Sequence, residues 1–364
     1  MLELLLLTIC AVICGAESWN DIELFGKSKI GYLRTFLPFK NGTPSDDTLR
    51  RLFRAIAPSQ FQSLFIEWVN SWLNPVVTDT STTLSTSTSN APNANKVIAI
   101  DGKTSRCSHD GEQSALHLVS AFATEARIVL GQMKTREKSN EITAIPELLK
   151  WLDVGGAMVT IDAMGCQKAI TQKIVEQKGD YFIALKGNQK SLYEDVKLHF
   201  EQPSDTARAN MQETETVEKG HGRIEVRRCR LSKDIEWLKQ RHSGWSKLEC
   251  IVAIDSERHL GKTVSHETRY FIGSRGNMTA AESLAAIRSH WGIENQLHWT
   301  LDMSFGEDKS RIRRGNAPAN MAIIRHVALN MIRLAQIERV SIRMMRKFAG
   351  WDNSMLTNIL AQNF

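Results

Sequence analysis

The sequence predicts an α/β protein in which a mixed sheet is flanked by helices, and three observations carry that expectation. Between residues 96 and 187, apolar runs of strand length alternate with stretches of helical period. Two of the runs, VIAIDGKTS and AMVTIDAMGCQ, place aspartates, Asp101 and Asp162, at the point where the apolar character stops. Ahead of them the chain reads as helix, closed off by a long polar stretch.

The opening segment, MLELLLLTICAVICGAESW, imitates a secretory leader, but Glu3 stands where a basic residue is needed and the run is too short to span a membrane. It is expected to be a buried helix. A second helical stretch runs from DDTLRRLFRAI through PSQFQSLFIEWVNSWL, with Ser45 or Asp46 as its N-cap. Residues 78–95, rich in Ser, Thr and Asn, then read as a linker, so residues 1–77 are expected to form a helical N-terminal domain.

From there KVIAIDGK, ALHLVSAFAT and RIVLGQMKT read as strands, the last two joined by a hairpin turn. NEITAIPELLKWLD reads as a helix, AMVTIDA as a buried strand, CQKAITQKIVEQKG as a helix and DYFIALKGN as a further strand. That order is RNase H-like, and in such a fold the first and fourth strands are neighbours. Asp101 and Asp162 would then meet at one sheet edge, where open α/β sheets bind ligands. Residues 212–275 read as extra strands, a β-rich insertion. A helical run follows from Thr279 through HWGIENQLHW and carries Glu294, and another follows Arg314. The catalytic domain is expected to span 96–348, leaving 349–364 as a C-terminal tail.

A net charge of +6 and a pI near 9.0 suit a polyanionic partner without proving one. The six cysteines show no metal-binding spacing and are expected to be reduced thiols of a cytoplasmic protein. Either aspartate alone could be a turn former or a helix cap. Together with Glu294 they read as ligands for hard divalent cations. A rival reading takes His290, Glu294 and His298, spaced by four, as zinc ligands of a hydrolase.

The stretches ICGAESWNDIELFG, GTPSDDTLRRLF, VIAIDGKTSR, VTIDAMGCQ, ALKGNQ, HGRIEVR, HWGIENQLHWTLDMSFGED and NAPANMAIIRHVALNMIR occur in this order through nearly the whole chain. Together they resemble the H-repeat-associated branch of the DDE insertion-sequence transposases. The resemblance implies an RNase H-like catalytic domain with Asp101, Asp162 and Glu294 as catalytic, metal-binding acids. It implies two Mg²⁺ (or Mn²⁺) ions, bridged by Asp101 and completed by Asp162 and Glu294. Element-end and target DNA would be the partners, cut and then joined through a 3′-hydroxyl, within a homo-oligomer. Lys186, Lys309, Arg311, Arg313 and Arg314 are the expected DNA-binding residues. Many members of the wider superfamily carry Tyr, Arg and Lys around the glutamate; here Ile287, His290 and Leu301 hold those positions. A start falling almost inside the first apolar helix keeps open a decayed copy that binds DNA without catalysis.

Overall fold

A computed structural model describes residues 1–73, 96–109, 114–135, 141–220, 222–335, 337 and 339–361. The expected linker, 78–95, lies outside them. Four helices come first: α1 (Leu2–Ile13), α2 (Trp19–Leu33), α3 (Asp46–Ala55) and α4 (Pro58–Leu73). Then follow β1 (Val97–Ser105), β2 (Leu116–Ala123), β3 (Ile128–Thr135), α5 (Glu141–Leu149), β4 (Met158–Ile161), α6 (Lys168–Glu176) and β5 (Asp180–Leu185). Next are α7 (Lys190–Glu201), α8 (Asp205–Asn210), β6 (Gln212–Gly220), β7 (Arg223–Ser232), α9 (Glu236–Arg241), β8 (Cys250–Leu260) and β9 (Thr263–Gly273). The chain ends with α10 (Ala280–Ser289), α11 (Trp299–Phe305), α12 (Ala317–Leu334), α13 (Ile342–Trp351) and α14 (Asn353–Leu360).

The strands form one mixed sheet in the order β3-β2-β1-β4-β5-β9-β8-β7-β6. β1 runs parallel to β4, and β4 to β5, while every other pair is antiparallel. Strands 6 to 9 thus continue the same sheet across the β5–β9 pairing.

Period-2 alternation sorts the strand residues between two faces. Val97, Met158, Phe182, Val252 and Phe271 pack with Ala280, Leu284 and Ile287 of α10. Their neighbours Ile98, Val159, Ile183 and Ile251 belong to the large core on the other face, which includes Ile145 and Leu148 of α5 and Ile170 of α6.

The N-terminal helices share that large core with α12 and α13. Leu7, Cys10, Ala11, Val12 and Ile13 of α1 are buried, because α2, α12 and α13 surround the helix on several sides. A single amphipathic face could not have covered them all. Arg346 of α13 donates from Nη2 to the Val12 carbonyl at 2.9 Å, beside the Gly15 amide, which donates to the same oxygen at 3.2 Å. Among the described residues no helix is long and apolar enough to cross a membrane. All six cysteines are free thiols. The segment expected as a tail, 349–364, is instead helical through Leu360, and Leu356 and Ile359 are fully buried.

Candidate active site

Register and parity place the two aspartates. Ile100 of β1 pairs with Ile161 of β4, so Asp101 and Asp162 are the next residues on parallel neighbours about 4.8 Å apart. Both have the parity of Val97 and Met158, and so belong to the face that α10 covers. Asp162 also caps the short turn after β4, its Oδ1 accepting from the Met164 and Gly165 amides at 3.0 and 3.4 Å. The cap that sequence alone offered as an alternative is therefore present, on a residue that also lines the cleft.

Glu294 arrives from above that face. After α10 the helix continues, but Ile293–His298 wind as a π-turn before α11 resumes. Such turns insert a residue into a helix and are frequent at functional sites. Asp101, Asp162 and Glu294 line one cleft of about 610 Å³, with Lys186, His290 and Trp291. Lys186 has the parity of Phe182 and is exposed at the end of β5. Burial pushes the Asp101 carboxyl up to about 7; the Gly102 amide opposes that rise, and the nearby Asp162, Glu141 and Glu294 carboxylates add to it. The same cleft is also lined by Lys186, Arg223, Arg227, Arg258, Arg269 and Arg288.

Two imidazoles lie beside it. His290 shares a hydrogen bond between Nδ1 and Thr160 Oγ1 at 3.1 Å, and burial holds it below its ordinary pKa. His298 is buried with Nδ1 3.6 Å from Asp101 Oδ2, and burial pushes its pKa down to about 3, leaving a neutral ring at physiological pH. The zinc alternative gains nothing from this placement, because among the described residues no three His, Cys, Asp or Glu side chains are gathered closely enough to hold a metal ion. Ile287 and Leu301 are core residues.

Gly102 marks a close approach behind the acids. His117 Nε2 and Glu141 Oε1 lie 2.6 Å apart, and Thr104 Oγ1 contacts His117 Nδ1 at 2.7 Å. A Cβ on residue 102 would come within 2.2 Å of Glu141 Oε1 and 2.8 Å of His117 Nε2. Gly102→Ala is expected to cost roughly 1–3 kcal/mol, the usual penalty for forcing atoms into a packed interior. A thermal melt of this variant matching the parent would show that the pair can withdraw freely.

The remaining expected residues divide. Arg311, Arg313 and Arg314 line a second cleft that shares no lining residue with the first. Lys309 is exposed and lines neither. Sequence reasoning assigns no role to Lys103, which has the parity of Asp101 and bonds Glu307 Oε2 at 2.8 Å and Asp302. It also misses Arg227 and Arg269, which line the first cleft, Arg269 lying 5.5 Å from the Trp291 ring centre. HGRIEVR is the available signal for Arg227.

Comparison with known proteins is now decisive for the family. The model described as the transposase DDE domain matches residues 92–331, and the DDE-domain-associated model matches residues 1–69. This chain belongs to the DDE transposase family. It is similar to the H repeat-associated putative transposase YhhI of Escherichia coli K12, at 40% identity over 99% of this chain and 92% of that protein. It is also similar to the putative transposase YncI of Escherichia coli O157:H7, at 39% identity over 99% of this chain and 88% of that one. A solved piggyBac transposase synaptic complex with hairpin DNA aligns at 11% identity and a TM-score of 0.38, over 74% of this chain and 55% of that one, too loosely to carry an argument. The H-repeat resemblance read from the motifs therefore stands for this family member.

Proposed function

We propose that this chain is a DNA transposase of an insertion-sequence-like element, cutting element ends and joining the freed 3′-hydroxyls to target DNA. The observation that carries the reading is the convergence of Asp101, Asp162 and Glu294 from two parallel strands and the helix covering them into one cleft. In this reading β3-β2-β1-β4-β5, with its antiparallel and then parallel pairings, is an RNase H-like core, and β6–β9 are the β-rich insertion that prolongs it. Family membership and homology to transposases supply the substrate class.

Among the described residues no three His, Cys, Asp or Glu side chains are gathered closely enough to hold a metal ion as they stand. The donor set nevertheless suits a hard cation: three carboxylates, one of them driven toward neutrality by burial and its acidic neighbours. Asp101, Asp162 and Glu294 would hold two Mg²⁺ or Mn²⁺ ions. When bound, such a pair supplies an activated nucleophile and charge neutralisation at the phosphate. The chain's own part is to fix where those acids stand: Asp162 through the Met164 and Gly165 amides, and Asp101 between β2 and β4. Lys186, at the cleft rim, is placed to hold a phosphate of the strand being cut. Handling two element ends in one complex asks for at least two copies of the chain, and cytoplasmic residence goes with access to the DNA.

Purified protein with Mg²⁺ and a duplex carrying the DNA that flanks its gene is expected to nick at the element boundary, and EDTA is expected to stop it. Undiminished nicking in EDTA would refute the metal-dependent reading.

A further inference from the structure

Six arginines from two distant parts of the sequence share the second cleft, of about 630 Å³: Arg50, Arg51 and Arg54 of α3, and Arg311, Arg313 and Arg314 before α12. Asp46 and Asp47 are the acids that line it, leaving an excess of four positive charges. The first cleft is lined by as many acids as cations, so this local excess sets the second cleft apart from it. We propose that this second cleft is a clamp for the backbone phosphates of duplex DNA, separate from the first; the choice of DNA as the polyanion rests on the function proposed above.

The two halves are held in fixed relation. Asn320 of α12 donates from Nδ2 to the Phe53 and Ile56 carbonyls at 2.8 and 3.0 Å, pinning the end of α3 to α12. Trp19 packs against Phe53 with the rings tilted and their centres 5.2 Å apart. Gly315, at φ +58°, turns the chain against Arg54, whose backbone oxygen and Cβ lie within 3.7 Å of where a side chain would begin. Arg313 Nε donates to the Cys107 carbonyl at 2.8 Å, tying the basic turn to the chain just beyond β1. The clamp is thus built onto the end of the strand that bears Asp101.

Arginine suits phosphate because its planar fork offers paired donors and keeps its charge. Arg50 and Arg51 are paired with Asp46 and Asp47 at 2.7 and 2.8 Å, whereas Arg54, Arg311 and Arg314 are exposed and have no ion-pair partner among the described residues. The apolar lining residues, Trp19, Ile312 and Ala317, are buried, so the cleft offers no aromatic platform for unstacked bases. That favours a duplex backbone over a single strand, and contacts that position rather than read sequence.

The test measures binding of the full chain to duplex DNA of unrelated sequence, in EDTA, across a salt series. The combined variant Arg54→Gln, Arg311→Gln and Arg314→Gln is expected to bind about 10–100-fold more weakly at about 0.1 M salt. Its log–log salt slope should be shallower by roughly 2–3, at near 0.9 for each phosphate that the variant no longer neutralises. Because misfolding could mimic a loss, a second variant is expected to move the other way. Asp46→Asn with Asp47→Asn frees Arg50 and Arg51, and should tighten binding and steepen the slope. Unchanged slopes in both variants overturn the clamp, as does equal or stronger binding of single-stranded DNA by the parent with the same response to the substitutions. The expected slope changes in a protein that fails to nick would count against the catalytic reading while upholding the clamp.

Discussion

Asp101→Asn is expected to reduce element-end cleavage by at least about 10³-fold, since an amide in place of the central carboxylate removes charge from the site where charge is handled. Asp162→Asn and Glu294→Gln should do the same, and all three should leave duplex binding nearly intact. A second readout separates this from damage to the fold. The folded pKa of Asp101 is raised to about 7, above the ordinary value near 4, so without metal the folded protein binds the extra proton between those pH values. The contribution of Asp101 is therefore fully present below about pH 4, falls as pH rises toward about 7, and is flat beyond. Removing the group removes that fall. In EDTA at pH 7.5, Asp101→Asn should be more stable than the parent by about 1–3 kcal/mol. Lost cleavage together with raised stability marks a residue kept for chemistry. An inactive variant that also melts early would make Asp101 a structural residue.

The aspartates were legible in the sequence because parallel strands announce themselves locally. VIAID and VTID are continuous apolar runs, so strand order alone puts the acids side by side, and the register Ile100 to Ile161 is that neighbourhood in atomic terms; the turn expected after each follows only Asp162, since β1 runs on past Asp101 to Ser105. Glu294 was legible as helical, but its π-turn was not. SLAAIRSHWGIENQLHW keeps an apolar period close to that of an α-helix, and one inserted residue leaves no compositional mark. Pairings across the chain were hidden for a different reason. Nothing near Gly102 foretells Glu141, and nothing near Arg54 foretells Gly315, because both contacts exist only once the sheet and α12 are assembled. The closing helices carried a readable signal: Met345, Ala349, Leu356 and Ile359 recur at helical spacing and are all buried. Arginines were easier to name than to group, and Lys309 shows the limit, since adjacency to Arg311 in sequence does not bring it into the cleft.

The second large effect concerns the joint between β1 and the helices that follow Glu294. Lys103, two residues beyond Asp101, bonds Glu307 at 2.8 Å and also Asp302, and Glu307 lies 3.7 Å from Arg325 of α12. Burial by itself would push Glu307 up, yet Lys103 and Arg325 outweigh it and bring its pKa down to about 2. Burial would likewise lower Lys103, but Glu307 and Asp302 hold it above its ordinary value. Asp302 differs: burial outweighs its bond to Lys103 and leaves it raised, so Glu307 is the partner that carries the stabilisation. Lys103→Met would leave Glu307, 2% exposed, facing only the more distant Arg325, and is expected to cost about 3–5 kcal/mol. Cleavage should fall with it, because β1 would lose its tie to α11 and so to the turn that carries Glu294. The sign of the pH dependence follows from Glu307. Its folded pKa is depressed, so its contribution is present above the unfolded value near 4.3 and lost as pH falls through about 2. The parent should therefore show an acid limb between pH 4 and 2 that is shallower in Glu307→Gln. Chemical denaturation of the three proteins from pH 7 to pH 2 decides it: Lys103→Met as stable as the parent at pH 7, or an acid limb unchanged by Glu307→Gln, would mean that the joint is held by packing and that the charges are incidental.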